Sequence, residues 1–249
     1  MDYSGIFAGR ADRYICASAT WPRVRHAEFA SYLECLQLRP GERLLDAPCG
    51  AGQMFTLIPG DVHYIGLDPA VDFASACART GAVVVQADMR QAPFVEGAFD
   101  VIGSLTGVHH EGDRQSLYAE WFRLLTPGGR LVLLDVWTGS ATGAFLNGFV
   151  DQWSSQGHWG EFLAETDLQA LLGVGFESTT LRQLAYHWEA SDNAAMHGFM
   201  LSLFGLDRRP ELSTMQRAWR ELGWVEEKKG CRIPWSLAAI YAYKPGGRA

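Results

Sequence analysis

Leu44-Leu45-Asp46-Ala47-Pro48-Cys49-Gly50-Ala51-Gly52 is a short apolar run that ends in an acid and then in a glycine-rich turn. It reads as a buried strand whose turn enters a helix near Gln53, with Gly50 and Gly52 placed where backbone approaches a ligand closely. A dinucleotide fingerprint runs G-x-G-x-x-G and opens a phosphate-binding helix. Here the third glycine position is Phe55, and a carboxylate, Asp46, precedes the turn. A cationic ligand suits that arrangement better than a pyrophosphate does.

The next acid narrows the ligand class. Val62-His63-Tyr64-Ile65-Gly66-Leu67-Asp68 reads as a second strand ending in a carboxylate 22 residues after Asp46, where two charge-assisted hydrogen bonds can hold a ribose diol. With these two acids the sequence resembles the class I S-adenosylmethionine-dependent methyltransferases. The resemblance implies that Asp46 lies beside the methionine amino group of the cofactor and that Asp68 binds the adenosine ribose. Gln86-Ala87-Asp88-Met89-Arg90, followed by Pro93-Phe94, resembles the segment whose Asp and following residue hold the adenine edge. Phe99-Asp100-Val101-Ile102-Gly103-Ser104 resembles the fourth strand of the family, and Arg123-Leu124-Leu125-Thr126-Pro127-Gly128-Gly129-Arg130-Leu131 the helix-to-strand turn before the fifth. Five motifs thus follow in the family order over residues 42–137. The cofactor implied is S-adenosylmethionine, contacted by Asp46, Ala47, Pro48, Gly50, Gly52, Asp68, Pro69, Asp88, Met89, Ser104 and Leu105. One departure stands out: the family usually has Gly where this chain has Pro48, which removes a backbone donor and fixes φ.

Strands and helices alternate from Glu42 to about Arg130, the pattern of a parallel sheet with helices on both faces. The fold expected is α/β: a Rossmann-like, seven-stranded, mostly parallel sheet with an antiparallel last strand and a helical lid insertion. Residues 1–249 form a single domain on this reading. Within it, residues 1–40 supply N-terminal helices and a lid, 41–137 the cofactor core, 138–175 and 191–229 the substrate cap, and 176–190 and 231–244 the last strands. The opening segment, with Tyr3, Phe7 and Tyr14 around Arg10 and Arg13, is either an amphipathic helix packed on the domain or part of the lid. Helices are expected from Arg23 to about Leu38, Thr142 to Ser155, Thr166 to Leu172, Ser191 to Phe204 and Pro210 to Leu222. The last two lie between a sixth strand, Phe176 to Trp188, and a seventh, Ile233 to Tyr243. An insertion there sits over the carboxyl ends of the strands, where open α/β sheets bind their ligands.

Composition bounds the partners. A chain of 249 residues that is 48% hydrophobic buries a full core as one domain. It contains no apolar stretch of membrane-spanning length and opens without a secretory leader pattern, so no membrane partner is expected and the cytoplasm is the expected location. Cys16, Cys35, Cys49, Cys77 and Cys231 form no C-x-x-C pair, so no metal site is expected; Cys49 reads as a small packing residue rather than a nucleophile. A net charge of −7 argues against nucleic acid as a partner and leaves a small-molecule substrate, with the protein a monomer or homodimer.

Methyl transfer from a sulfonium is a displacement in which alignment lowers most of the barrier, and a base is needed only if the acceptor carries a proton. His109 and His110 lie just past the fourth strand, where the methyl group is expected, and are the catalytic candidates. Their side chains are expected to diverge without sharing a metal. One of them caps the next helix while the other is solvated, or His109, nearer the strand, acts on the acceptor. Asp135 either walls the pocket or pairs locally. Tyr14, Trp137, Asn147, His158, Trp159, Trp188 and Trp235 are the substrate-binding candidates, and nine tryptophans favour an aromatic or extended apolar acceptor. O-methylation is preferred over N or C. Two alternatives stay open: a protein that uses S-adenosylmethionine non-catalytically or for another reaction, and a nicotinamide-dependent enzyme on a related sheet, against which the absent third glycine speaks.

Overall fold

The computed structural model describes residues 11–246. The chain enters with α1 (Ala11–Thr20) and α2 (His26–Leu36) and then alternates β1 (Arg43–Asp46), β2 (His63–Asp68), α3 (Val71–Arg79), β3 (Val84–Gln86), β4 (Phe99–Leu105), α4 (Arg114–Leu124) and β5 (Leu125–Asp135). After β5 come α5 (Glu165–Val174), β6 (Glu177–Ala190), α6 (Asn193–Leu203), α7 (Leu212–Glu221) and β7 (Cys231–Tyr243). The seven strands form one sheet in the order β3-β2-β1-β4-β5-β7-β6. The pairings among β1 to β5 are parallel, and β7 runs antiparallel to both β5 and β6. This is the expected topology, with 191–229 intervening between the last two strands.

The central strands are apolar on both faces because helices cover both. Side chains alternate: Leu44, Val101, Val132 and Leu134 pack into one apolar cluster with Tyr32 and Leu36 of α2. Leu45, Ile102, Leu131 and Leu133 enter the other with Leu117 and Trp121 of α4 and Phe73 of α3. All four strand leucines and valines at 131–134 are fully buried, each contributing about 1.5–3 kcal/mol. Helix starts follow local capping: Asp113 accepts from Ser116 N–H at 3.1 Å to open α4, and Asp192 accepts from Ala195 N–H at 2.8 Å to open α6.

The helix expected near Gln53 does not form. The segment makes only a 3-10 turn, Phe55–Leu57, because Pro59 and Gly60 stop it before an α-helix can nucleate. The helix expected from Thr142 to Ser155 is instead a short α turn, Ala141–Ala144, a π-helical stretch, Phe145–Val150, and a final turn, Asp151–Trp153. Tyr3, Phe7 and Arg10 lie outside the described residues.

The α6 helix lies along α1. Ser202 Oγ donates to the Arg13 carbonyl at 2.8 Å, and Trp21, just past α1, meets Phe199 edge-on at 6.3 Å. The buried Trp219 of α7 seats on Met200, its Nε1 3.0 Å from Sδ. Leu203 and Phe204, at the end of α6, are thereby carried over the carboxyl end of the sheet. Among the described residues no helix is long and apolar enough to cross a membrane.

Candidate functional site

Two adjoining cavities open at the carboxyl ends of β1 and β4, sharing Tyr14, Arg25 and Thr106. The first is walled by Asp46, Pro48, Cys49, Gly50, Met54, Phe73 and Leu105. Asp46 is 2% exposed and accepts from Tyr64 Oη at 2.9 Å and from Tyr32 Oη at 3.3 Å. Burial pushes its carboxyl up to about 7, and those two hydroxyls only partly offset it, with Asp68 adding repulsion. A buried carboxylate that resists ionising is short of positive charge, so a ligand ammonium fits beside it. Asp68, fully buried, braces the loop: its Oδ2 accepts from Gly50 N–H and its Oδ1 from Ala70 N–H, each at 2.9 Å.

Pro48 is accommodated by a partner the sequence did not flag. A Cβ on Gly107 would lie 2.3 Å from Pro48 Cγ, so the absent side chain there makes room for the ring. The loop turns at Gly50 and Gly52 with φ of +53° and +83°.

The second cavity is lined by Glu28, His109, His110, Val136, Leu146, His158, Trp188, Leu203, Phe204 and Trp235 besides the shared residues. Trp188 and Trp235 stack at 4.0 Å between centroids, held by cross-strand placement on β6 and β7. Trp188 Nε1 donates to Glu28 Oε2 at 2.7 Å, and Glu28 in turn pairs with the buried Arg25 guanidinium. Arg25 also donates to Tyr14 Oη and, at 3.4 Å, to Thr106 Oγ1. Burial works against its charge, and Glu28 followed by Tyr14 outweighs that, so Arg25 stays protonated. The walls are therefore aromatic and the internal cation is compensated.

The polar end of this cavity is built on a 3-10 turn, Val108–His110. His109 Nδ1 lies 2.7 Å from Asp135 Oδ1, and the backbone N–H groups of His109 and Val136 donate to the same carboxylate at 3.1 and 2.7 Å. Burial would raise the Asp135 pKa, but the His109 ring and these donors prevail and hold it below the usual range. The Asp135 carboxylate accepts from the His109 Nδ1–H and leaves Nε2 as the ring position open to chemistry on the cavity side. The two neighbouring histidines do not diverge as expected. Their ring centroids are 4.0 Å apart and both rings line the cavity, because successive residues of a 3-10 turn are about 120° apart rather than opposed as in a strand.

Other expected site residues separate. Pro48, Gly50 and Leu105 join Asp46 at the first cavity, while Ala47 is buried with its N–H on the Gly103 carbonyl, and Gly52 packs against Cys77 of α3. Pro69 is half-buried in the turn to α3 and Ser104 is buried in β4. Asp88 is exposed and paired with Arg90 at 2.8 Å, and Met89 is buried in the core; neither lines either cavity. Tyr14, His158, Trp188 and Trp235 line the second cavity as expected. Asn147 stands behind it, accepting from His158 Nδ1 at 2.9 Å. Two expectations are corrected: Trp159 is 81% exposed, turned outward at the tip of its loop, and Trp137 is half-buried among residues of the opposite cluster, its backbone bridged to Leu163. Arg25, Glu28, Thr106, Leu203 and Phe204 were missed; no motif marks them, since only packing brings them to the cavity.

Removing the Asp68 carboxylate takes away the brace on the Gly50 loop. Asp68→Ala is expected to weaken binding of S-adenosylhomocysteine by about 1.5–3 kcal/mol, as for hydrogen bonds to a charged group. Calorimetry showing unchanged affinity would rule out a part for Asp68 in cofactor binding.

Residues 45–133 match the family described as methyltransferase domain. The chain is 31% identical over 112 residues to a phosphoethanolamine N-methyltransferase of Triticum aestivum, covering 42% of this chain and 22% of that protein. It is 36% identical over 110 residues to 27-O-demethylrifamycin SV methyltransferase of Amycolatopsis mediterranei, covering 40% of each. A tRNA (carboxymethyluridine(34)-5-O)-methyltransferase of Arabidopsis thaliana also matches, at 34% over 122 residues, 48% of this chain and 28% of that protein. The chain thus spans less than half the length of these curated relatives. Among solved structures, the YcgJ protein of Bacillus subtilis superposes with a TM-score of 0.66 at 17% identity, over 89% of this chain and 100% of that one. Fold, motif order and domain match agree: residues 45–133 match a methyltransferase domain, and the sheet has the strand order expected of the class I S-adenosylmethionine-dependent methyltransferases, whose cofactor is S-adenosylmethionine. The nicotinamide alternative is set aside.

Proposed function

We propose that this protein methylates a small molecule with an aromatic or extended apolar body, at a hydroxyl in preference to an amine or carbon. The observation that carries this reading is the His109–Asp135 pair at the polar end of an otherwise aromatic cavity that adjoins the Asp46 loop. When bound, S-adenosylmethionine supplies a methyl group activated on a sulfonium. Asp46 would face its ammonium, and the Gly50 and Gly52 loop, braced by Asp68, would hold the rest. His109 Nε2 would take the acceptor proton as the oxygen–methyl bond forms and the sulfur–methyl bond breaks, its electron pair staying on the departing thioether, and Asp135 would steady the imidazolium. Trp188, Trp235, Leu203 and Phe204 hold the acceptor body and exclude water. Residues 191–229 and α1 act as the cap.

Charge and chemistry favour this acceptor over the other classes represented among the relatives. A phosphorylated amine needs free cationic groups, whereas Arg25 is engaged by Glu28, Tyr14 and Thr106. A nucleic acid needs a basic approach surface, and the chain carries a net charge of −7. The five cysteines are free thiols, which suits a reducing cytoplasm.

The test is a turnover assay with S-adenosylmethionine and a panel of hydroxylated aromatic and polyketide-like acceptors, with products identified by mass spectrometry. Phe204→Ala is expected to reduce kcat/KM for an accepted substrate by about 10–100-fold, mainly through KM, from the 1.5–3 kcal/mol that burying a phenyl ring is worth. Methylation confined to phosphorylated amines or RNA would overturn the reading.

A further inference from the structure

We propose that His109, His110 and His158 form a site for a zinc-class divalent metal ion in the wall of the acceptor cavity. One ring nitrogen from each lies within 4.8 Å of the other two. The ring centroids of His158 are 5.6 Å from His109 and 5.4 Å from His110. Zinc held tetrahedrally by imidazoles sits about 2.0–2.1 Å from each nitrogen, which places those nitrogens about 3.3 Å apart. Closing the cluster around an ion therefore takes shifts of roughly an ångström, within reach of side-chain rotation.

Two of the rings are already oriented for the task. Asp135 holds His109 at Nδ1, as described above. His158 is held by Asn147, whose amide is fixed in turn: its Nδ2 donates to the Gly160 carbonyl and its Oδ1 accepts from Gly160 N–H, both at 2.9 Å. Oδ1 therefore faces His158 Nδ1 at 2.9 Å and puts the proton there. Both histidines then have Nδ1 occupied by a fixed partner, which leaves Nε2 as the ring nitrogen that can ligate. Outer partners of this kind, on the second ring nitrogen, are what orient metal-ligating histidines.

The methyl-transfer reading uses only His109. It leaves His110, His158 and the Asn147 clamp without a task, and an ion accounts for all three. An all-imidazole donor set selects zinc, copper, nickel or iron over magnesium or calcium, which prefer oxygen. Three protein ligands leave a fourth position facing the cavity. His109 Nε2 has one lone pair, so the ion and the acceptor proton exclude each other, and the loaded protein is the form that does not transfer. That last consequence rests on the proposed methyl transfer; the binding itself does not.

The full chain, stripped with a chelator, is titrated with zinc chloride by calorimetry in the absence of cofactor and acceptor. One equivalent is expected to bind with micromolar or tighter affinity, and cobalt in its place to show the visible absorption of a tetrahedral site. His158→Ala and His110→Ala are each expected to weaken binding by about 100-fold or more, and Asn147→Ala by about 10–100-fold through loss of the ring's orienting partner. Near-ultraviolet circular dichroism checks that each variant is folded, and His158→Gln replaces any that is not. No binding to the wild type, or one equivalent retained by both histidine variants, overturns the site. Because neither cofactor nor acceptor enters the measurement, its failure leaves methyl transfer standing, and failure of methyl transfer leaves the zinc result standing.

Discussion

Replacing His109 by Ala is expected to lower kcat by about 10²–10⁴-fold with a hydroxyl acceptor, the contribution of a positioned general base, while cofactor affinity stays nearly unchanged. The expectation follows from geometry. His109 is 6% exposed, sits at the cavity wall, and has its Nδ1 taken by a buried carboxylate at 2.7 Å. Asp135→Asn should lower kcat in the same direction by a smaller factor, since an amide no longer fixes the tautomer or stabilises the imidazolium. With an acceptor that is already an anion, no proton has to leave, and the His109 variant should lose mainly acceptor affinity. Steady-state kinetics at saturating S-adenosylmethionine, with a chelator present, separate these cases. A larger defect in His110→Ala than in His109→Ala would move the base to the neighbouring ring.

Cofactor affinity is expected to fall on the order of tenfold for each pH unit below about 7, and Asp46→Asn to bind weakly with a flat profile. The sign follows from Asp46, whose carboxyl burial raises from an ordinary 3.8 to about 7 in the ligand-free protein. An ammonium beside it favours the ionised form, so below that value binding must first displace a proton. The same shift acts on stability in the opposite sense. The folded, ligand-free protein holds this proton more tightly than the unfolded chain, so the contribution is full below about pH 4 and is lost as the pH rises through about 7. Its size is on the order of 4 kcal/mol. Calorimetry with S-adenosylhomocysteine from pH 5.5 to 8, on wild type and Asp46→Asn, checks the profile. A flat wild-type curve would show that Asp46 does not meet the ammonium.

The parts of the site that repeat along the chain were readable from it. Asp46, Gly50 and Asp68 lie at strand ends, where a short apolar run closes on an acid or a glycine turn, and local pattern alone positions them. The two helices within residues 191–229 were also legible as periodic segments, with ends within two residues of those observed. Where the reading failed, tertiary context competed with local pattern. Two successive histidines were given strand-like opposition, but a 3-10 turn placed both rings on the same cavity. Trp137 was assigned to the pocket because it closes the fifth strand, and Trp159 because its loop was read as part of the cap. Which way a ring points depends on what its loop packs against, and for these two that is the opposite cluster and solvent.

What the sequence determined by itself is the sheet, the cofactor class and the glycine turn after β1, since these depend on residues near one another along the chain and on the strict alternation of strands and helices. What only the tertiary structure decided is the second cavity. Arg25 and Glu28 from α2, His109 from the turn after β4, His158 from a loop after β5, Trp188 and Trp235 from β6 and β7, and Phe204 after α6 meet there from positions up to 210 residues apart. No local periodicity encodes that meeting. It arises because the strands share one sheet whose carboxyl ends open on the same side, and because α6 packs on α1 and carries Phe204 over that edge. The tautomers of His109 and His158, and with them the chemistry proposed for both, follow from Asp135 and Asn147, partners that only the folded chain supplies.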